Sequence, residues 1–223
     1  MEFLTYFFRI TEDPVVFELF GKTHLILLMI AIIGSLYVLF MSKVSRLFEI
    51  ILGSVMIFQQ VLLYAWYFIT KYRLLDDGLP LFHCRIAIIS VGLGFLFNNK
   101  FLQKIGSYLG IIGSIFALLF SDPNSFYFPH ITQFSYFIGH FCLLWGALYL
   151  LNIKKIGMTK KDYFNTLIVS SLYHIIMYFI NKKIVDGNYG YVSSSPIGVG
   201  NNLNPVIYAF IFIMLFNIVI TIV

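Results

Sequence analysis

Runs of about twenty apolar residues follow one another along almost the whole chain, and each can cross the ~30 Å hydrocarbon layer of a bilayer as a helix. Seven are counted, at about 24–41, 47–70, 80–97, 103–121, 131–151, 163–182 and 204–223. Little is left over for a soluble domain. The expected fold is therefore all-α, a polytopic membrane bundle of seven transmembrane helices, with residues 1–223 forming a single integral membrane domain. Composition agrees: 60% of the residues are hydrophobic and mean hydropathy is +0.88, against about half apolar in soluble chains.

The first twenty residues carry Glu2, Arg9, Glu12, Asp13 and Glu18, so they lack the basic leading region of a secretory signal. Two cysteines, Cys84 and Cys142, fall inside predicted helices and are expected to be reduced, with no disulfide framework. Lysine and arginine counts in the short loops orient the chain. One side collects Lys43, Arg46, Lys100, Lys104, Lys154, Lys155, Lys160 and Lys161. The other holds Arg9, Lys22, Lys71, Arg73, Lys182 and Lys183, together with most of the acids: Glu12, Asp13, Glu18, Asp76, Asp77, Asp122 and Asp186. The heavier basic side is assigned to the cytoplasm, which places the N-terminus outside, the C-terminus inside and the protein in the cell membrane. The net charge of +5 then serves anchoring to anionic lipid. Basic residues scattered through short loops argue against a nucleic-acid partner. No internal repeat, phosphate loop or metal-ligand spacing is present, and no metal, nucleotide or prosthetic group is expected.

Most connections are short. The exception is KIVDGNYGYVSSSPIGVGNNL (183–203), readable as a solvated connector or as a loop that covers a site. Small residues recur at a spacing of four at Gly106, Gly110 and Ser114 in the fourth span, and at three or four at Ser135, Gly139, Cys142 and Gly146 in the fifth. Such stripes let neighbouring helices approach closely. Cys142 is accordingly read as a packing residue.

Ionisable and polar groups concentrate in one half of the membrane thickness. His83, Cys84 and Arg85 open the third span just after Pro80. By helical rise, Cys84 lies ~6 Å deep, His140 in the fifth span ~13 Å deep, and His174 in the antiparallel sixth span ~10 Å deep, all from the same face. His24 begins the first span and His130 precedes the fifth. Gln133, Tyr136 and His140 share one helical face, as do Ser170, His174, Tyr178 and Asn181, while Gln59 and Gln60 lie near the midplane as a possible floor. These stripes read either as interhelical hydrogen-bond glue or as the wall of a polar pocket. Cys84 is either an inert interior cysteine or a nucleophile, because a helix N-terminus and adjacent cations favour a thiolate and a histidine can complete a Cys–His pair for acyl transfer. Arg85 is costly in a membrane, roughly 2.5–3.5 kcal/mol at a helix centre. It either snorkels outward or holds a lipid phosphate.

Four stretches, FELFGKTHL (17–25), LPLFHCRIAI (79–88), GSIFALLFSDPNSFYFPHITQFSYFIGHFCLLWGALYL (113–150) and NYGYVSSSP (188–196), together resemble the bacterial YwaF family of seven-helix proteins, itself similar to eukaryotic transmembrane protein 164. The resemblance implies an acyltransferase or transacylase with a Cys–His centre, the cysteine falling on Cys84 and the histidine on His140. It would move a fatty acyl chain from a phospholipid to a lysophospholipid or other acceptor through a thioester. His24, Asn188 and Tyr189 also match family motifs and, with Arg85, His83, Tyr136 and His174, make up the expected substrate-contacting set. One position departs from the family pattern: bacterial members carry P-L-H-x-C, whereas Phe82 stands there in this chain and His83 is adjacent to the cysteine. The alternative from another class is a small-solute binding or transport protein using the same pocket, and a third is a non-catalytic membrane subunit.

Overall fold

The computed structural model describes residues 2–185, 187–195 and 198–222, the last four as backbone only. Asp186, counted among the acids, and Pro196, in the resembling stretch, lie outside the described residues. Among those described, secondary structure is helical throughout. A short α1 (Glu2–Phe7) precedes α2 (Lys22–Leu39), α3 (Arg46–Thr70), α4 (His83–Leu96), α5 (Lys100–Leu119), α6 (Ile131–Leu148), α7 (Lys160–Lys183) and α8 (Pro205–Ile222). A π-helical turn, Tyr149–Ile153, prolongs α6.

Five helices are long and apolar enough to span a membrane: α2, α3, α5, α6 with its prolongation, and α7. The chain is a multi-pass integral membrane protein. The helix α4 has 14 residues, ~21 Å of rise, so it is shorter than the third predicted span. Its start moves from Pro80 to His83 because residues 80–82 form a turn that other parts of the molecule hold open. The Arg85 guanidinium donates to the carbonyls of Asp77 and Leu79, and the Tyr173 hydroxyl donates to Leu81 O. Cys84 is consequently the second residue of its helix rather than about the fourth.

Capping fixes several other ends. The side chains of Ser45, Asn99 and His130 accept from the first turns of α3, α5 and α6, and Thr159 with Asp162 forms a capping box on α7. Each such cap satisfies an amide that the helix cannot.

At the centre stands α6, packed on α2, α3, α4 and α5. The small-residue stripes explain how closely it and its neighbours meet. A Cβ added at Gly106 would stand 2.6 Å from Val91 Cγ2 and 2.9 Å from the Val91 backbone nitrogen, so α4 and α5 touch almost backbone to backbone. Ile88 Cδ1 lies 3.0 Å from the same point on Gly139, and Val91 Cγ1 3.1 Å from that on Gly146. Contact thus advances in the same direction along both helices, and α4 and α6 run parallel. Cys142 is buried in the core formed here with Met56, Ala87, Ile88, Val91 and Phe95.

Charged groups sort to the two ends. At one end α1 and its following segment cover the α3–α4 and α5–α6 connections: Trp66 Nε1 donates to Phe8 O at 2.9 Å, Arg9 to Tyr127 O at 2.8 Å, and Arg73 pairs with Asp77 at 3.2 Å. At the other end the buried Glu49 is held by Arg46 at 3.1 Å and Lys154 at 2.8 Å, and Lys104 meets Asp162 at 2.6 Å. Burying Glu49 without these cations would cost several kcal/mol.

Candidate functional site

Cys84 and Arg85 open α4 at the end of the bundle covered by α1. Cys84 is a free, half-buried thiol, and the amides of Cys84 and Arg85 are near enough to act on it electrostatically. The first amides of a helix have no intrahelical acceptor, so this sulfur faces fixed donors rather than carbonyls. Tyr64, Tyr136, Tyr173 and Tyr191 all lie within electrostatic range of it.

With Ile88 opposite Gly139, Cys84 stands one turn before that level and His140 one residue beyond it. The offset along the parallel axes is about five residues, or ~7.5 Å. Side chains lean toward the N-terminus of their helix, so the His140 ring tilts back toward the level of Cys84. Its Nδ1 lies 2.6 Å from Tyr136 O, and its Nε2 is buried with no hydrogen-bond partner. A carbonyl only accepts, so Nδ1 carries the hydrogen and Nε2 of the neutral ring carries the lone pair. The ring therefore stands ready to take a proton, oriented by its own helix.

The five histidines divide sharply. His24 accepts the Phe20 amide on Nδ1 at 2.8 Å and donates from Nε2 to Leu118 O at 2.7 Å. His130 accepts the Thr132 amide on Nδ1 at 3.3 Å and donates to Arg9 O at 3.0 Å. Both ring nitrogens are used in each case, and both residues tie chain segments together. His83, His140 and His174 instead each keep one buried ring nitrogen without a partner. The structure thus places His24 away from any free valence, although it shares a depth with the others in the sequence. His130, which lies outside the spanning segments, is lowered to about 4 by burial, with the Arg9 charge adding to the effect against the Arg9 backbone hydrogen bond and Asp13, and it is neutral at physiological pH.

Arg85 is held on several sides. Besides its two loop carbonyls it donates to the Tyr67 hydroxyl at 3.5 Å, and its guanidinium stands 5.1 Å from the Phe82 ring centroid, 5.4 Å from Tyr67 and 5.9 Å from Tyr64. No carboxylate among the described residues lies within ion-pair distance of it. Tyr136 donates to Ala117 O at 2.7 Å and accepts the Asp122 amide at 3.4 Å, which ties α6 to the end of α5.

Asn188 and Tyr189 spend their polar groups on building the long loop. The Asn188 amide donates to Ser194 O at 2.8 Å and accepts Ser193 N at 3.1 Å. The Tyr189 hydroxyl accepts Leu79 N at 3.2 Å and donates to Leu75 O at 2.8 Å, while Asn181 brackets its backbone at 2.9 and 3.0 Å. This network turns the next side chain inward. Gly190 and Tyr191 both have positive φ, 70° and 55°, a conformation costly for tyrosine. It is maintained by a ring packed 6.0 Å from His83 and 5.8 Å from Phe82, and by Tyr208, whose hydroxyl donates to Tyr191 O at 3.0 Å. Burial first, then Cys84, Tyr136 and Asp122, push the Tyr191 hydroxyl well above the usual phenol range, so it remains a neutral donor. Sequence reasoning missed Tyr191 as a site residue. Its only local signal was the preceding glycine in a loop otherwise read as a connector or lid.

Among the described residues, no group of three or more His, Cys, Asp or Glu side chains is arranged to hold a metal ion. Comparison with curated proteins and with solved structures finds no match. A family model described as the TMEM164 family matches residues 19–223. That span includes the α4 start, the central α6 and the 188–195 loop, and the chain belongs to that family.

Proposed function

We propose that the protein is a membrane-embedded acyltransferase or transacylase that moves a fatty acyl chain from a phospholipid to a lysophospholipid through a thioester on Cys84. One observation carries this reading: the His140 ring is locked by Tyr136 with a buried, unpartnered Nε2, on the helix that runs parallel to α4 beside Cys84. A base with a fixed tautomer and a half-buried thiol among helix-terminal amides are the parts of a nucleophile–base pair.

The Cys84 thiol gives its proton to His140 Nε2 and the sulfur attacks the ester carbonyl carbon. A C–S bond forms and the bond between the ester carbonyl carbon and the glycerol oxygen breaks. The leaving oxygen takes the proton back from His140, and lysophospholipid departs. A second lysophospholipid hydroxyl then reverses the sequence. The first amides of α4, with Tyr191 as a neutral donor, stabilise the oxyanion. Arg85 and Tyr136 face the head-group side. Asn188 and Tyr189 act by holding the loop, and His24 by fixing α2 against α5. In this reading α4 and α8 also cross the bilayer, giving seven spans in one domain within the cell membrane, N-terminus outside, and the site lies at the depth of lipid ester groups.

The test is acyl exchange between isotopically labelled phospholipid and unlabelled lysophospholipid, followed by mass spectrometry on purified protein. Wild type is expected to exchange acyl chains and to carry an acyl adduct on Cys84. Equal turnover by Cys84→Ala refutes the mechanism.

A further inference from the structure

A second group of unsatisfied polar atoms lies at the α4 start among α4, α7 and α8, with His140 within electrostatic range of His83. His83 precedes Cys84 by one residue, which on a helix turns its side chain by about 100° away. Its ring meets His174 at 6.4 Å between centroids, Tyr191 at 6.0 Å and Phe216 at 5.3 Å. His174, 1% exposed, packs its ring 4.7 Å from Phe216 and 5.6 Å from Phe212. Its Nδ1 donates to Ser170 O at 2.7 Å, so its Nε2 is a lone-pair acceptor. Buried and without partners are His83 Nδ1, His174 Nε2 and Ser170 Oγ. Structures seldom leave several buried polar atoms unsatisfied in one place unless a ligand or water completes them. Phe212 and Phe216 wall the group on its α8 side, so the missing partner is a small polar group attached to an apolar body.

We propose that His83 and His174 form a subsite for the free hydroxyl of the acyl acceptor, a lysophospholipid. This rests on the acyl-transfer reading and assigns the acceptor its own place. The hydroxyl donates to His174 Nε2, and its oxygen accepts from His83 Nδ1–H on the other side. Two hydrogen bonds of about 2.8 Å through one oxygen suit rings whose centroids are 6.4 Å apart. His83 adjoins Cys84 in the chain, so an oxygen held there lies at the same end of α4 as a thioester on that sulfur. The acceptor hydroxyl enters beside His174, and as its oxygen attacks the thioester its proton passes to His140 Nε2 and on to the departing Cys84 sulfur, as in the reversed sequence above. Tyr191, which packs on His83 and lies within electrostatic range of Cys84, brings the 188–195 loop to the same place.

The experiment measures binding of a palmitoyl lysophospholipid with a free glycerol hydroxyl and of the same lipid with that hydroxyl capped as a methyl ether. Purified wild-type protein is expected to bind the free-hydroxyl lipid at least about tenfold more tightly. His174→Phe and His83→Phe, which keep the aromatic packing, are expected to bind the two lipids equally. Using both variants guards against misfolding of one. Equal binding of the two lipids by wild type overturns the subsite, as does a preference that survives in both variants. Failure of the acyl-transfer reading is seen separately, as absence of an acyl adduct on Cys84 in a protein that still prefers the free hydroxyl.

Discussion

Replacing Gly106 with alanine tests the packing that positions Cys84. The added methyl would meet Val91 Cγ2 at 2.6 Å, the Val91 backbone nitrogen at 2.9 Å and Ala87 O at 3.2 Å. A side chain could rotate away, but two of the three contacts are α4 backbone, so α4 must move off α5. Overpacking of this kind costs about 1–3 kcal/mol, and backbone contact argues for the upper part of that range. Alanine recovers about 0.8–1.0 kcal/mol of helix propensity over glycine, which leaves a net loss of about 1–2 kcal/mol. At about 2–4 °C per kcal/mol for a chain of this size, the thermal midpoint in detergent should fall by roughly 2–8 °C. Gly113 lies two turns further along the same helix and is the internal control. Its added methyl would meet only His83, at 3.5 Å, an ordinary contact, so Gly113→Ala keeps the propensity gain and should be neutral or stabilising by up to about 1 kcal/mol. Scanning calorimetry or fluorescence-detected unfolding of both variants settles the matter. A Gly106→Ala midpoint at or above wild type, or a Gly113→Ala loss of equal size, would refute the claim that α4 and α5 are held backbone to backbone.

Two further outcomes follow from the histidine geometry. His24→Phe strands the Phe20 amide that Nδ1 accepts and should cost about 1–3 kcal/mol. His140→Phe removes only a second bond to a helix carbonyl and also eliminates an unpartnered Nε2, so its loss should stay within about 1 kcal/mol in the same unfolding assay. A larger loss at His140 than at His24 would contradict the division into tied and free rings. For pH, His130 is held at about 4 in the folded protein, mainly by burial, against an ordinary 6.5. The unfolded chain therefore binds a proton that the folded one refuses as pH drops below 6.5. The stability contribution is intact above 6.5, is lost progressively toward 4, and amounts to at most about 3 kcal/mol. Stability measured from pH 7 to pH 4 should fall less steeply in His130→Gln than in wild type; parallel profiles would show that His130 does not titrate in this way.

Membership of the membrane class, the positions of the apolar helices and the small-residue stripes were legible in the chain because they depend on local periodicity. Lipid leaves a backbone little alternative to helix, and a glycine every fourth residue lies on one face whatever it meets. The clustering of histidines at one depth was also legible, since depth follows from residue count. What depth could not reveal is which ring nitrogens are already bonded: His24 and His83 look equally available until Leu118, 94 residues on, takes the second nitrogen of His24 and leaves His83 Nδ1 without a partner. Arg85 likewise reads in sequence as an outward anchor or a phosphate contact, yet tertiary contacts attach it to the α3–α4 loop and set the start of α4 three residues late. Tyr191 enters beside Cys84 only because Asn181 and Asn188 fold a loop whose composition signals nothing but flexibility. Sequence alone determined which elements form and at what level their polar groups lie. Only the tertiary structure decided which of those groups remain unsatisfied, because a hydrogen bond or a close packing contact depends on partners a hundred residues away, and it is the unsatisfied groups that have chemistry left to do.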